Sequence, residues 1–487
     1  MEEFETYLER TQEIGYIDSF FHSVAFASGL PGLQPEEMVI TESGKKGIVH
    51  GMKENEAEIL MIDFKDLKIG ERIVRSGSVF EILVGEGLLG RIIDPLSRPV
   101  DGLGEPIRGK KEFRRVKETA PPFTERVTIK RPLETGVMIV DLMVPLGYGQ
   151  RELVIGDGKT GKTSFLLQTM VSQAKKGVIC VYVGISKKDV AIAWVEEYLR
   201  EQGVFEKTVV IHTTPDDSPT LSYLAPYSGM AIAEYFREKG NDVLIVFDDL
   251  TTHAKIYREI SLLLKRPPGR DCYPGEIFHI HASLLERAGN IKRGEKEVSI
   301  TALPVAETLE NDISGFIQTN LISMTDGHIF FDIDEFRKGK RPAVNVFLSV
   351  SRVGNQTRSL IEKILAGLIR KKLIDYQRVL ELTQFGGELS KETKELIEFG
   401  QRLEVLFDQD PKTIVSRELQ LIFLGLLFSG FWNTKSPSKM RSEIRKILEH
   451  HQKTGLPKLR EEIEKIRNLS HLQFLTKEIL PEIEKII

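Results

Sequence analysis

Cysteine is nearly absent from this chain of 487 residues: Cys180 and Cys272 are the only two, far apart and without metal-ligand spacing. That excludes a disulfide framework, suits a reducing compartment and leaves both as small buried hydrophobes. Apolar runs are short as well, and none reaches the ~18 residues needed to span a bilayer. The opening MEEFETYLER is acidic and polar, unlike the basic start and apolar core of a secretory leader. Charge of one sign is equally scarce. With 67 basic and 71 acidic side chains the formal balance is −4, which gives no global field to draw the chain onto nucleic acid or an anionic membrane. What is present is ordinary globular composition, 41% hydrophobic and 28% charged. The length exceeds one hydrophobic core and implies about three domains.

Short apolar runs fill the first part of the chain (IDSFFHSVAFASGL, EEMVITES, GKKGIVHGM, EAEILMIDF, ERIVRSGSVFEILVG), separated by Gly, Asn, Ser and Lys turns. This spacing predicts a small antiparallel β-barrel over residues 1–95. A Pro- and charge-rich stretch follows, 96–132, which cannot be one regular element and reads as an extended connection. Beyond it RELVIG, GVICVYVG, TVVIHTT and DVLIVFDD alternate with amphipathic segments of helical length, the pattern of a parallel sheet covered by helices on both faces. With its connection, this α/β domain occupies 96–358. After Arg352 the period becomes helical, with Ile361, Ile364, Leu365, Leu368, Ile369 and Leu373 on one face, so 359–487 is expected to be a helical bundle.

The chemistry concentrates in RELVIGDGKTGKTSFLLQTM, where G-x-x-x-x-G-K-T stands between a strand and an amphipathic helix. Gly156 and Gly161 let the backbone turn its N–H groups toward phosphate oxygens, and the helix N-terminus adds its partial positive charge. Asp157, Gly158, Lys159, Thr160 and Ser164 complete the phosphate-binding stretch. Lys162 is expected to bridge the β- and γ-phosphates, and Thr163 to offer a hydroxyl to magnesium. The strand VLIVFDDL ends in Asp248 and Asp249, and Asp248 is the second candidate for the Mg2+ shell. The bound molecules expected from these residues are therefore a nucleoside triphosphate and Mg2+.

Several further segments carry a family resemblance. KRPPGRDCYPGEIFHIHASLLERAGN, SITALPV, TDGHIF and RPAVNVFLSVSRVG, together with the P-loop, resemble the α subunit of the rotary (F-type) ATP synthases, and MVPLGYGQREL and QFGGEL at 384–389 are similar to α rather than to its partner β. The resemblance implies a β-barrel, a RecA-like P-loop α/β domain and a helical domain in that order. It implies a ring of alternating α and β subunits around a γ shaft, driven by or driving protons or sodium ions, peripheral to the cytoplasmic face of the cell membrane. In that ring α is regulatory: it holds Mg-ATP without turning it over and projects an arginine into the neighbouring β site. Arg352 in SVSRVG matches that arginine, and Ser349 lies in the same loop to position it. Gln409 matches an adenine-contacting glutamine, while Pro411 replaces a second one.

Other departures from the family pattern are informative. Gly158 and Lys159 stand where α subunits have Arg and Gln. The chain before the barrel is short for the helix that meets the peripheral stator, which puts that attachment in question. Lys187 stands where α subunits have glutamine and catalytic ring subunits have the glutamate that orients the attacking water, so no general base is expected. A self-sufficient homohexameric secretion-type ATPase would need that glutamate. A Rho-like RNA translocase would need a basic, aromatic-studded surface, and a divergent rotary-motor paralogue is the remaining alternative. His450 and His451, in a charged amphipathic segment, read as surface histidines, so no metal beyond magnesium is expected.

Overall fold

The structure, a computed structural model, describes residues 2–107, 111–383, 390–454 and 466–487. The QFGGEL segment at 384–389 lies outside the described residues. The chain forms two compact units interleaved in sequence: Met1–Thr128, Ala174–Thr308 and Asp312–Thr325 make the first, and Ile129–Gln173, Leu309–Asn311 and Asp326–Ile487 the second.

In the first unit, strands Gly15–Phe21, Val24–Ser28, Glu37–Thr41, Lys46–Met52, Ala57–Met61 and Arg72–Val79 close an antiparallel barrel in which the first pairs with the second and the sixth. Its interior is filled by Ile17, Val39, Val49, Ile59, Met61 and Ile73. Before the barrel, Glu2–Thr11 forms a helix whose Phe4, Tyr7 and Leu8, at helical spacing, pack with Ile40 and Val74.

The last barrel strand ends at Val79, and the strands that follow it pair elsewhere. Glu81–Val84 pairs with Glu112–Arg115, a strand inside the stretch expected to be an extended connection. That strand, EFRR, has no buried position, so it carries none of the apolar alternation by which strands are read. Arg91–Ile93 joins the edge of a parallel sheet, next to Thr208–His212. From that edge the sheet continues through Ile179–Gly184 and Val243–Asp248 to Lys296–Thr308. The strands at 179–184, 208–212 and 243–248 are buried at every position, the continuous apolar run that a sheet covered on both faces requires.

A buried aromatic and imidazole cluster lies where the barrel meets helices Pro219–Glu238 and Leu250–Leu263. The rings of Tyr223 and Tyr257 stack at 5.5 Å, His50 meets both edge-on at 6.1 Å, and the His253 ring nitrogens lie 3.0 Å from His281 Nε2 and 3.0 Å from the Tyr223 carbonyl. Burial, reinforced by Lys117 and Arg266, pushes the His50 pKa down to about 3. Burial pushes His253 down to about 4 against its bond to the Tyr223 carbonyl, and burial plus its neighbour His253 holds His281 well below the ordinary histidine value. All three stay neutral in the folded chain while an unfolded histidine protonates near pH 6.5. Above that pH they cost nothing. As pH falls from about 6.5 toward 4 the unfolded state takes up protons the folded state refuses, so each histidine should remove about 1.4 kcal/mol of stability per pH unit. Unfolding midpoints measured between pH 8 and 4.5 check this, and a midpoint that stays flat below pH 6.5 would contradict it.

In the second unit, Leu153–Asp157 runs parallel to Gly327–Phe331, which pairs antiparallel with the short Val350–Ser351. Pro132–Leu133 pairs antiparallel with Leu146–Gly147, and beyond Leu360 the described residues form the helices Leu360–Thr383, Lys391–Phe407, Arg417–Phe428, Pro437–Thr454 and Leu469–Ile486. Arg417–Phe428 is buried at every position from Leu419 to Leu427, so it is the apolar centre around which the other helices lie. Among the described residues no helix is long and apolar enough to cross a membrane.

Candidate functional site

The P-loop lies between the strand Leu153–Asp157 and the helix Lys162–Lys175. Gly156 is required by close approach: a Cβ there would stand 2.2 Å from the Phe331 carbonyl oxygen of the adjacent strand. Gly161 takes φ +99°, a conformation side-chain-bearing residues avoid. Thr160 closes the turn by donating its hydroxyl to the Asp157 carbonyl at 2.7 Å, and the Asp157 carboxylate accepts from the Asn311 N–H at 3.0 Å. The Lys162 ammonium is buried and donates to the Gly156 and Asp157 carbonyls, both at 2.7 Å. Thr163 and Ser164 are half-buried in the first helical turn, and Gly158 and Lys159 are exposed at the tip of the loop. Lys159 holds φ +64°, which costs about 1 kcal/mol for a residue with a Cβ.

In the other unit, Gly184 is in register with Asp248 on neighbouring parallel strands, so the turn after Gly184 carries Lys187 to the acidic strand end. The Lys187 ammonium stands 2.7 Å from Asp248 Oδ1 and 3.3 Å from Asp249 Oδ2. Tyr182 donates its hydroxyl to Asp248 Oδ2 at 2.6 Å. Asp249 caps the following helix, accepting the Thr252 N–H at 2.6 Å and its hydroxyl at 3.1 Å. Burial pulls the Lys187 pKa down, but the two carboxylates outweigh it and the net shift is upward. Lys187 is therefore an ion-paired, largely buried cation rather than a solvated one, and Asp248 is already matched to a positive charge.

Arg352 follows the short strand Val350–Ser351. Its N–H donates to the Asp326 carbonyl at 2.9 Å, its side chain is exposed, and among the described residues its guanidinium has no hydrogen-bonding or ion-pairing partner. Ser349 is buried and does not touch that guanidinium; its hydroxyl donates to the Asn345 carbonyl at 2.7 Å and accepts from the Phe330 N–H at 2.9 Å, anchoring the loop to its neighbour strand. Behind Arg352, Ser351 donates to the Pro145 carbonyl at 2.6 Å and accepts from the Gln150 amide at 3.1 Å, and that amide also donates to Glu152 at 2.7 Å. Burial raises the Glu152 carboxyl well above the usual carboxylate range, opposed by the Gln150 bond.

Gln409 is fully engaged inside the protein. It accepts from the Met138 N–H at 3.0 Å and donates to the Gly136 and Thr413 carbonyls, each at 2.7 Å. Its amide fixes the turn that leads to the helix Met138–Met143, so the glutamine expected at the base has a structural task first.

Comparison with known proteins follows the same order along the chain. The ATP synthase alpha/beta family, nucleotide-binding domain, matches residues 136–351, and the C-terminal domain of the ATP synthase alpha/beta chain matches 356–484. An ATP synthase subunit alpha of Dictyoglomus thermophilum is 42% identical over 459 residues, covering 93% of this chain and 90% of the relative. The ATP synthase subunit alpha of Helicobacter pylori strain G27 is 38% identical over 472 residues, 96% of this chain and 93% of the relative. The chain belongs to the ATP synthase alpha subunit family. As an ATP synthase alpha family member it carries the P-loop stretch within the matched nucleotide-binding domain. Sequence reading missed the Lys187 ion pairs and the Glu152–Gln150–Ser351 support, because each joins residues on different strands.

Proposed function

We propose that this chain is the regulatory, non-catalytic nucleotide-binding subunit of a rotary ATP synthase, peripheral to a membrane, that holds ATP on its own P-loop and lends Arg352 to an adjacent catalytic β subunit. The observation that carries the reading is Lys187. Hydrolysis needs a carboxylate to orient and deprotonate water, and this position holds an ammonium fixed by Asp248 and Asp249. The names of the relatives support membership of an ATP synthase, and the exposed Arg352, whose guanidinium makes no hydrogen bond or ion pair among the described residues, supports its use outside the chain. A planar, permanently charged group suits the equatorial oxygens of a transferring phosphoryl.

The P-loop N–H groups and the start of the helix Lys162–Lys175 would take the phosphates, with Lys162 leaving its two carbonyl partners to meet them. Thr163 is of the right chemistry for magnesium, a hard cation that prefers oxygen ligands and retained waters. Asp248 fits that role poorly, since its oxygens are held by Lys187 and Tyr182. A self-sufficient homohexameric motor is disfavoured on the same Lys187.

Equilibrium dialysis of the purified chain with ATP tests the reading. The chain should bind ATP and leave it intact, and Lys162→Ala should weaken binding at least tenfold, about 1.4 kcal/mol. Equal binding by both forms would remove the P-loop as the site.

A further inference from the structure

Two acidic strand ends lie side by side in the second unit. Leu153–Asp157 and Gly327–Phe331 run parallel with Gly156 opposite Phe331, so the P-loop leaves one strand at Asp157 where the chain leaves the other at Asp332. One residue holds both carboxylates. Asn311 donates its N–H to Asp157 Oδ1 at 3.0 Å and its side-chain amide to Asp332 Oδ1 at 2.9 Å, while its side-chain oxygen accepts the Ile333 N–H at 3.1 Å. It stands at φ +60°, where glycine, asparagine and aspartate are the residues at ease. Of these three, only asparagine brings the side-chain donor that Asp332 needs; aspartate would add a third carboxylate.

The connection runs on from Asp332. Its other oxygen accepts the Asn345 amide at 2.9 Å. Asn345 in turn shapes the segment that leads to Arg352: its side-chain oxygen accepts the Phe347 and Leu348 N–H groups at 3.0 Å and 3.1 Å, and its carbonyl accepts the Ser349 hydroxyl at 2.7 Å. Burial pushes the Asp332 carboxyl up, but bonds from Asn345, from the Asp334 N–H and from Asn311 outweigh it and the net shift is downward, so it stays a charged acceptor for both amides. At the other end Asp157 is part of the phosphate-binding loop itself, its carbonyl accepting from the Thr160 hydroxyl and the Lys162 ammonium, both at 2.7 Å. Asp157, Asn311, Asp332, Asn345 and Arg352 all belong to the same compact unit.

We infer that Asn311 and Asp332 are positioning residues that tie the P-loop to the loop bearing Arg352, so that a nucleoside triphosphate on the P-loop steadies residues 345–352. The inference rests on the nucleotide-binding reading above and deepens it by naming what an occupied P-loop acts on within this chain. A ligand orders a distant loop only by binding its ordered arrangement better. Phosphates held by the P-loop N–H groups fix Asp157 in place, and through Asn311 and Asp332 they favour the arrangement in which Asn345 holds the Phe347 and Leu348 N–H groups.

The test is hydrogen exchange of the full-length chain, read by mass spectrometry over residues 345–352, without ATP and with ATP at a concentration that saturates each form in equilibrium dialysis. In the wild type ATP should slow that exchange by at least about threefold, less than one hydrogen bond can contribute. Asn311→Gly keeps the backbone conformation and loses only the side chain. Asp332→Asn keeps the size but can no longer accept from both amides. Each variant should bind ATP and lose the slowing, whereas a merely structural role would speed exchange equally with and without ATP. The wild-type arm stands whether or not a variant folds, and either folded variant suffices for the second. A wild type that binds ATP without slowing, or a folded variant that slows as the wild type does, would overturn the inference while leaving nucleotide binding intact. Absence of ATP binding by the wild type would instead remove the nucleotide-binding reading, and this inference with it.

Discussion

A ring reconstituted with Arg352→Ala should lose multisite ATP turnover by about 10³- to 10⁵-fold, the range by which an arginine supplied in trans accelerates phosphoryl transfer. Arg352 has the two properties such a group needs. Its backbone is fixed, through its own N–H to the Asp326 carbonyl and through Ser351 to the Pro145 carbonyl and the Gln150 amide. Its side chain is exposed and its guanidinium makes no hydrogen bond or ion pair among the described residues. Its charge acts inside the chain only through space, on Glu152 and His328, and it has no hydrogen bond to lose, so the substitution should change the stability of the chain by no more than about 0.5 kcal/mol and the ring should still assemble. Arg352→Lys should recover little, because a point charge cannot reproduce the planar fork. Steady-state ATPase measurements on assembled rings decide the matter, and undiminished turnover by the Arg352→Ala ring would exclude the finger.

Arg287→Met should be the most damaging single substitution for folding among those considered. Arg287 is 1% exposed, donates to both Glu234 oxygens at 3.1 Å and 2.6 Å, and donates to the Val116 carbonyl at 2.8 Å. Removing it leaves a buried carboxylate with no closer ion pair among the described residues than Arg237 at 3.9 Å, and Arg114 acting from farther off. Breaking one side of a buried pair costs about 3–5 kcal/mol, whereas replacing both sides with apolar groups is often neutral. The unfolding midpoint should therefore fall by on the order of 10 °C in Arg287→Met and recover most of that in Arg287→Met with Glu234→Leu. A double variant as unstable as the single one would show that Arg287 acts through Val116 and its packing instead.

What could be read from the sequence was what is local in it. The P-loop was legible because strand, glycines, lysine and hydroxyl lie within one short stretch, and Gly156 has to be glycine for a reason the motif encodes: the Phe331 carbonyl of the next strand. The helical C-terminal region was legible because Ile361, Ile364, Leu365, Leu368, Ile369 and Leu373 keep a helical period. Contacts that depend on strand register were not. Lys187 meets Asp248 and Asp249 only because Gly184 and Asp248 are opposite each other on parallel strands. Glu112–Arg115 was taken for connection because a strand without buried positions has no apolar signature. Gln409 was read for the chemistry of its amide, yet a buried amide must first satisfy its own hydrogen bonds, and the Gly136–Met138 turn does that.

The central claim is that this chain keeps the ATP it binds, and the fate of the γ-phosphate tests it most directly. Purified chain loaded with γ-labelled ATP, freed of unbound nucleotide and followed for labelled phosphate should, on the function proposed above, release it no faster than ATP in buffer. Sustained phosphate release by the chain alone, abolished by Lys162→Ala, would contradict it.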